Sequence, residues 1–179
     1  MRVATLALVL ALTTGTAWAQ KIKSDFDKAA PFSQFKTYAF KPGLLMVAEG
    51  RDRIDGHILD ALRHELGAKG MTEVKESPQV YVTYFGTIGG TTASGNLYAP
   101  GQRASYDWGI PQGWSGVAST TVIEGSMLFE IVNASTNQLA WRATVRGVVK
   151  NLNNPEKQEP RIKEVINKAF KDYPPKTKS

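Results

Sequence analysis

The chain of 179 residues carries 22 Lys or Arg against 16 Asp or Glu, a formal net charge of +6, and no cysteine; 42% of it is hydrophobic and 21% charged. That balance is too apolar and too weakly charged for a disordered chain. The missing thiol excludes a disulfide scaffold, a thiolate metal site, a cysteine nucleophile and a lipidated N-terminal cysteine.

Arg2, the apolar run over 3–12 and Ala17-Trp18-Ala19 follow one another as in a secretory signal peptide, so cleavage is expected after Ala19. The run breaks at Thr13-Thr14-Gly15, short of the roughly 20 apolar residues that a membrane helix needs. No later stretch approaches that length, and a periplasmic or secreted protein is expected. Loss of Arg2 lowers the charge to +5. That excess falls wholly within 146–179, where nine basic residues face four acids, so an electrostatic partner is expected to meet the C-terminal end. One domain over 20–175 is expected, followed by a disordered basic tail at 176–179.

The alternation of Lys21-Ile22-Lys23-Ser24-Asp25-Phe26-Asp27 predicts a short strand, and 36–40 a second that Pro42-Gly43 stops. The period then changes. Ile54, Ile58, Leu62 and Leu66 recur every four residues, with Gly70 as the stop, predicting a helix over 52–69. The run 80–85 is β-branched and aromatic on both faces and reads as a buried central strand. Residues 86–118 hold half of the 16 glycines, together with Tyr98, Tyr106, Trp108 and Trp114, and keep neither period. A loop of that length inside a compact domain points to function or disorder. Arms over 122–132 and 139–149 flank a turn at Asn133-Ala134-Ser135-Thr136-Asn137 and predict a hairpin. If Ile131 pairs with Trp141, Glu130 lies opposite Arg142, and a cross-strand ion pair there would contribute about 0.2–1 kcal/mol. A last helix starts at Asn154-Pro155 or Glu159-Pro160, bears Ile162, Val165, Ile166, Ala169 and Phe170 on one stripe, and stops before Pro174-Pro175.

Two helices with one apolar stripe each need an apolar sheet face to cover. The expected architecture is an α+β two-layer sandwich, a mostly antiparallel sheet under two helices, in the order β-β-α-β-(Gly-rich loop)-β-β-α.

Four features could carry function. In the loop, Tyr98, Tyr106, Trp108 and Trp114 offer large contact area at low entropic cost for a glycan, a peptide or another envelope protein, or else fold back onto the sheet. Lys157, Arg161, Lys168 and Lys171 lie on one side of the last helix, with Glu164 among them; they suit an anionic lipid surface, though a solvated face is the commoner reason for such a stripe. His57 and His64 project from the first helix opposite its apolar stripe, with Asp60 in reach of either. They stand about 10.5 Å apart along the axis, too far to share one ion, so no metal is expected. Hydrolytic chemistry would have to use loop groups such as Ser105 and Asp107, since no nucleophile elbow, Ser-x-x-Lys or His-Glu-x-x-His is present. No cofactor and no nucleic acid are implied. The leading reading is a non-catalytic binding or scaffold protein of the envelope. A periplasmic hydrolase, or an assembly subunit pairing through a strand edge, is the alternative.

Three blocks carry a resemblance. Ser24-Asp25-Phe26-Asp27 with 35–40 forms the first, the helix end at 66–71 with 77–84 the second, and 125–133, Leu139-Ala140-Trp141-Arg142 and 170–175 the third. Together they resemble the domain-of-unknown-function family 4136, bacterial exported proteins that are often lipoproteins and have no established activity. The resemblance implies no catalytic residues, and this chain lacks the lipoprotein cysteine. Glu130 and Asn133 stand where the resemblance leads to aspartates.

Overall fold

Amphipathic alternation and a helical stripe each reappear as an element. The computed structural model describes residues 21–47, 50–88, 93–97, 118–122, 126–146 and 154–176. Strand β1 (Lys21–Phe26) leads through a single 3-10 turn to β2 (Thr37–Phe40) and β3 (Leu44–Val47). Helix α1 (Arg51–Ala68) and the two-residue β4 (Thr72–Glu73) precede the long β5 (Val80–Ile88). Then come β6 (Ala93–Leu97), β7 (Ala118–Val122), β8 (Ser126–Asn133), β9 (Leu139–Arg146) and α2 (Pro155–Phe170).

The main sheet runs β1-β9-β8-β5-β2-β4, with β3 also on β5. Its longest ladders, β5 on β8 and β8 on β9, are antiparallel, as is β1 on β9. The result is the α+β, mostly antiparallel architecture that the residues predict. The β8–β9 register is also the expected one, with Ile131 opposite Trp141 and Glu130 opposite Arg142. The turn between them is built by Asn133, whose side chain accepts from the backbone N–H of Ser135 at 3.0 Å and from its hydroxyl at 2.8 Å.

Parallel pairing at the other edge departs from the expectation. After β2 pairs Tyr38 with Val80 through Phe40 with Val82, the chain does not leave the sheet at Pro42-Gly43. It resumes as β3, Leu44 opposite Phe85, in parallel on the same strand. Pro42 has no N–H to give the ladder, and its carbonyl accepts from the Thr83 hydroxyl at 3.3 Å instead. Gly43 is needed for space. A Cβ there would stand 2.7 Å from the Tyr84 ring and 2.8 Å from the Tyr84 carbonyl oxygen.

The stretch expected to be irregular from 86 to 118 also contains more order. It includes the end of β5, all of β6 and the start of β7, and β6 and β7 form a separate antiparallel ribbon. The arm expected from 122 is divided, since Val122 ends β7 and Ser126 begins β8.

Both helices lie on one sheet face. Ile54, Ile58, Leu62 and Leu66 of α1, and Ile162, Val165, Ile166, Ala169 and Phe170 of α2, share one core with Val80, Val82, Phe129, Ile131, Trp141 and Val145. Aromatic rings tie the C-terminal end into it. Phe170 lies 4.8 Å from Trp141 and 5.7 Å from Phe129 between ring centroids, and Tyr173 packs edge-on to Trp141 at 5.1 Å. Asn154 caps α2, accepting from the Glu156 N–H at 3.0 Å, and Pro155 occupies the first turn. Of the two expected starts the first is the one used, and Pro160 is carried inside the helix. At the end of α1, Gly70 adopts φ +77, the left-handed conformation of a helix stop.

Candidate functional site

Strand parity turns Thr83, Phe85, Leu128, Glu130, Val132, Leu139 and Arg142 away from the helices, onto the opposite sheet face. Most of these are buried as well, Thr83 at 1%, Leu128 at 1% and Val132 at 0% exposure, so this is not an ordinary solvated face. One polar row crosses it. The cross-strand partners run Asp25 on β1, Arg142 on β9, Glu130 on β8 and Thr83 on β5.

At the centre of that row Arg142 Nη2 lies 3.1 Å from Glu130 Oε1, with side chains 11% and 7% exposed. The sequence locates this pair correctly, with the modest worth of an ordinary cross-strand ion pair. Burial changes its energetics, because two charges taken from water depend on each other. Thr83 donates to the Pro42 carbonyl, and the Glu130 carboxylate faces a guanidinium. The row therefore offers register and polarity, not an activated hydroxyl. Beside it the Lys41 ammonium sits 4.0 Å above the Tyr81 ring centroid, and burial lowers the pKa of Lys41. Sequence reasoning missed Asp25 and Thr83 as row members, although both follow once the strand registers are known.

The basic stripe of α2 is present but internally compensated. Lys157, Lys168 and Lys171 are exposed and Arg161 is half-buried. Arg161 and Lys168 both reach Glu164, each at 2.6 Å, and Lys163 reaches Glu159 at 2.6 Å. The hydrogen bond from Lys168, with the charges of both cations, holds the Glu164 carboxyl below its usual range. Lys163, foremost through its hydrogen bond, does the same for Glu159. Such i,i+3 and i,i+4 pairs stabilise the helix and reduce the field it presents.

On α1, the partner that the structure gives Asp60 is neither His57 nor His64. Asp60 pairs with Arg63 at 3.0 Å, and the same guanidinium reaches Glu73 of β4 at 2.8 Å and lies 5.4 Å from the Phe40 ring centroid. Among the described residues, no group of three His, Cys, Asp or Glu side chains is placed to hold a metal ion. Near the start of the helix, the buried Tyr84 hydroxyl donates to Asp55 Oδ1 at 2.8 Å, and desolvation, aided by that carboxylate, raises its pKa well above the ordinary tyrosine value.

Tyr98, Tyr106, Trp108 and Trp114, with Ser105 and Asp107, lie outside the described residues. What is described is the pair of strands that delimits them. Leu97, the last residue of β6, is the register partner of Ala118, the first of β7. No described helix is long and apolar enough to cross a membrane.

Among solved structures, a PDZ domain protein from Parabacteroides distasonis matches with a TM-score of 0.50 at 12% identity, over 88% of this chain and 36% of that one. The chain thus spans about a third of that protein's length, and the likeness is one of fold. A PelC dodecamer from Paraburkholderia phytofirmans gives a TM-score of 0.41 at 11% identity, covering 84% of this chain and 96% of that one. A minor lipoprotein from Acinetobacter baumannii gives 0.31 at 13% identity, over 77% and 91% of the two chains. No curated protein sequence matches. The family model for the domain of unknown function DUF4136 matches residues 22–175, from the second residue of β1 to beyond α2, and the chain belongs to that family.

Proposed function

We propose that this is an exported, non-catalytic binding protein of the bacterial envelope, released from its leader after Ala19, that meets its partner through residues 98–117. The observation that carries this reading is the register of Leu97 with Ala118. It brings the two ends of a 20-residue stretch rich in glycine and aromatics together at the end of a paired ribbon. A binding segment built this way is tethered at both ends to strands, while Tyr98, Tyr106, Trp108 and Trp114 supply contact area.

The buried Glu130–Arg142 pair is neutralised internally, and Asp60 is engaged by Arg63. Exposed Lys157 and Lys171 supply an auxiliary contact for an anionic surface, while Arg161 and Lys168 are shared with Glu164.

The test is co-sedimentation of the purified processed protein with isolated peptidoglycan sacculi and, separately, with envelope membranes. Trp108→Ala/Trp114→Ala is expected to lose at least tenfold in binding to one of these with an unchanged circular dichroism spectrum. Equal binding by the variant would overturn the loop as the contact.

A further inference from the structure

Strand β1 is an edge. Among the described residues its one strand neighbour is β9, and Lys21, Lys23, Ser24 and Asp25 are exposed along it. The Asp27 N–H donates inward to the Ala140 carbonyl at 2.8 Å. In an antiparallel ladder such bonding alternates by residue, so Lys21, Lys23 and Asp25 share the inward phase of Asp27. The main-chain groups of Ile22, Ser24 and Phe26 therefore point out, away from the sheet. The Phe26 N–H fits this phase: among the described residues it donates to the neighbouring Asp25 carboxylate at 3.0 Å and not to β9.

The side chains along this edge read Lys21, Ile22, Lys23, Ser24, Asp25, Phe26, Asp27. Their charges are antisymmetric about Ser24, two cations before it and two anions after it. We propose that β1 pairs with β1 of a second copy of the chain, antiparallel, about a two-fold axis through Ser24. In that register Ser24 faces Ser24 of the other copy, and Ile22 faces Phe26. These are the three positions whose main-chain groups point outward, so the hydrogen-bonding phase and the axis agree. Lys23 then meets Asp25, and Lys21 meets Asp27, on one face of the joined sheet. Ile22 and Phe26, which already pack against the core, continue the apolar layer on the other.

Two other self-pairings fail. An axis through Lys23 sets that lysine against its own copy, and an axis through Asp25 does the same with a carboxylate. Either arrangement can be hydrogen-bonded through the outward groups of Ile22, Ser24 and Phe26, so it is the like-charge contact that excludes both. Edge strands are ordinarily protected from association by charged side chains, lysine above all. This one carries the complement of itself, and the contact is isologous and closed at two chains. The proposal does not depend on the aromatic loop.

Two single variants and one cross-link test it, using the processed full chain. Sedimentation equilibrium is expected to show a concentration-dependent dimer that weakens with added salt. Lys23→Asp and Asp25→Lys each place like charges in opposition, and each alone is expected to be at least tenfold weaker in self-association. Mixed in equal amounts they are expected to recover a heterodimer, because each restores the other's complement. The chain has no cysteine of its own, so Ser24→Cys reports the axis directly. It is expected to form a disulfide-linked dimer under mild oxidation, while Lys21→Cys, about 20 Å from its counterpart at roughly 3.3 Å per residue, is not. A monomer at all concentrations overturns the proposal. So does a mixture that fails to associate, or cross-linking of Lys21→Cys as fast as Ser24→Cys.

Discussion

Replacing Arg142 with methionine removes the guanidinium from Glu130 while keeping most of the side-chain volume. On an exposed sheet face the loss would be about 0.2–1 kcal/mol. Here the two side chains are 11% and 7% exposed, and the surviving carboxylate would be left in a buried position. Breaking such a pair costs about 3–5 kcal/mol; the residual exposure of both groups favours the lower end, about 3 kcal/mol. With a urea m-value of about 2 kcal/mol per molar, the unfolding midpoint falls by about 1.5 M. Glu130→Leu should cost a similar amount by stranding the cation. The double variant Glu130→Leu/Arg142→Met strands neither charge, and is expected to lose much less than the sum of the two. Urea unfolding of all four proteins, followed by far-ultraviolet circular dichroism, measures the cycle. Single-variant losses below about 1 kcal/mol, or additive losses in the double variant, would refute the claim that burial couples this pair.

Gly43→Ala is expected to destabilise by about 1–3 kcal/mol in the same assay, as overpacking does, because its Cβ would meet the Tyr84 ring at 2.7 Å. Phe170→Ala empties the centre of the aromatic cluster and should cost about 3–5 kcal/mol by the same measurement. Burial raises the pKa values of both Tyr84 and Tyr173 from the ordinary 10.0, the Asp55 carboxylate adding to the effect at Tyr84. A raised folded-state pKa gives stability that is whole below pH 10 and is lost as pH climbs toward the folded value. Unfolding free energy should therefore fall above about pH 10, less steeply in Tyr84→Phe/Tyr173→Phe, as read by urea titrations at successive pH values. Asn154→Ala removes the α2 cap and should lower stability by about 1 kcal/mol, visible as a smaller unfolding midpoint.

The elements most legible in the sequence are those whose pattern is set by local geometry. Ile54, Ile58, Leu62 and Leu66 define α1 because a four-residue spacing follows one helix face, and Asn133 to Asn137 fix the β8–β9 turn, hence the Glu130–Arg142 register. Strand β3 was not legible. Pro42-Gly43 is a local stop, and only the long-range ladder on β5 shows that the chain resumes beyond it. The ribbon β6–β7 was hidden for a different reason. Ala93, Ser94 and Gly95 have little intrinsic strand preference, so pairing with 120–122 rather than propensity defines it. The basic character of the α2 stripe follows from its spacing, but the reach of Arg161 and Lys168 to one shared Glu164 depends on rotamers that spacing does not specify.

The polar row and the edge strand have one electrostatic logic. From Thr83 the row passes through Glu130, Arg142 and Asp25, alternating in sign once it becomes charged, and ends on the exposed carboxylate at the sheet's border. A negative charge at the end of an alternating row is best met by a cation in the next strand. In the proposed two-fold register that cation is Lys23 of the second copy, so the alternation crosses the seam without a like-charge contact. The same register leaves the apolar side of β1 continuous, with Ile22 beside Phe26. Charge order on one face and hydrophobic continuity on the other thus select a single axis, whereas an edge evolved only to stay solvated would need neither.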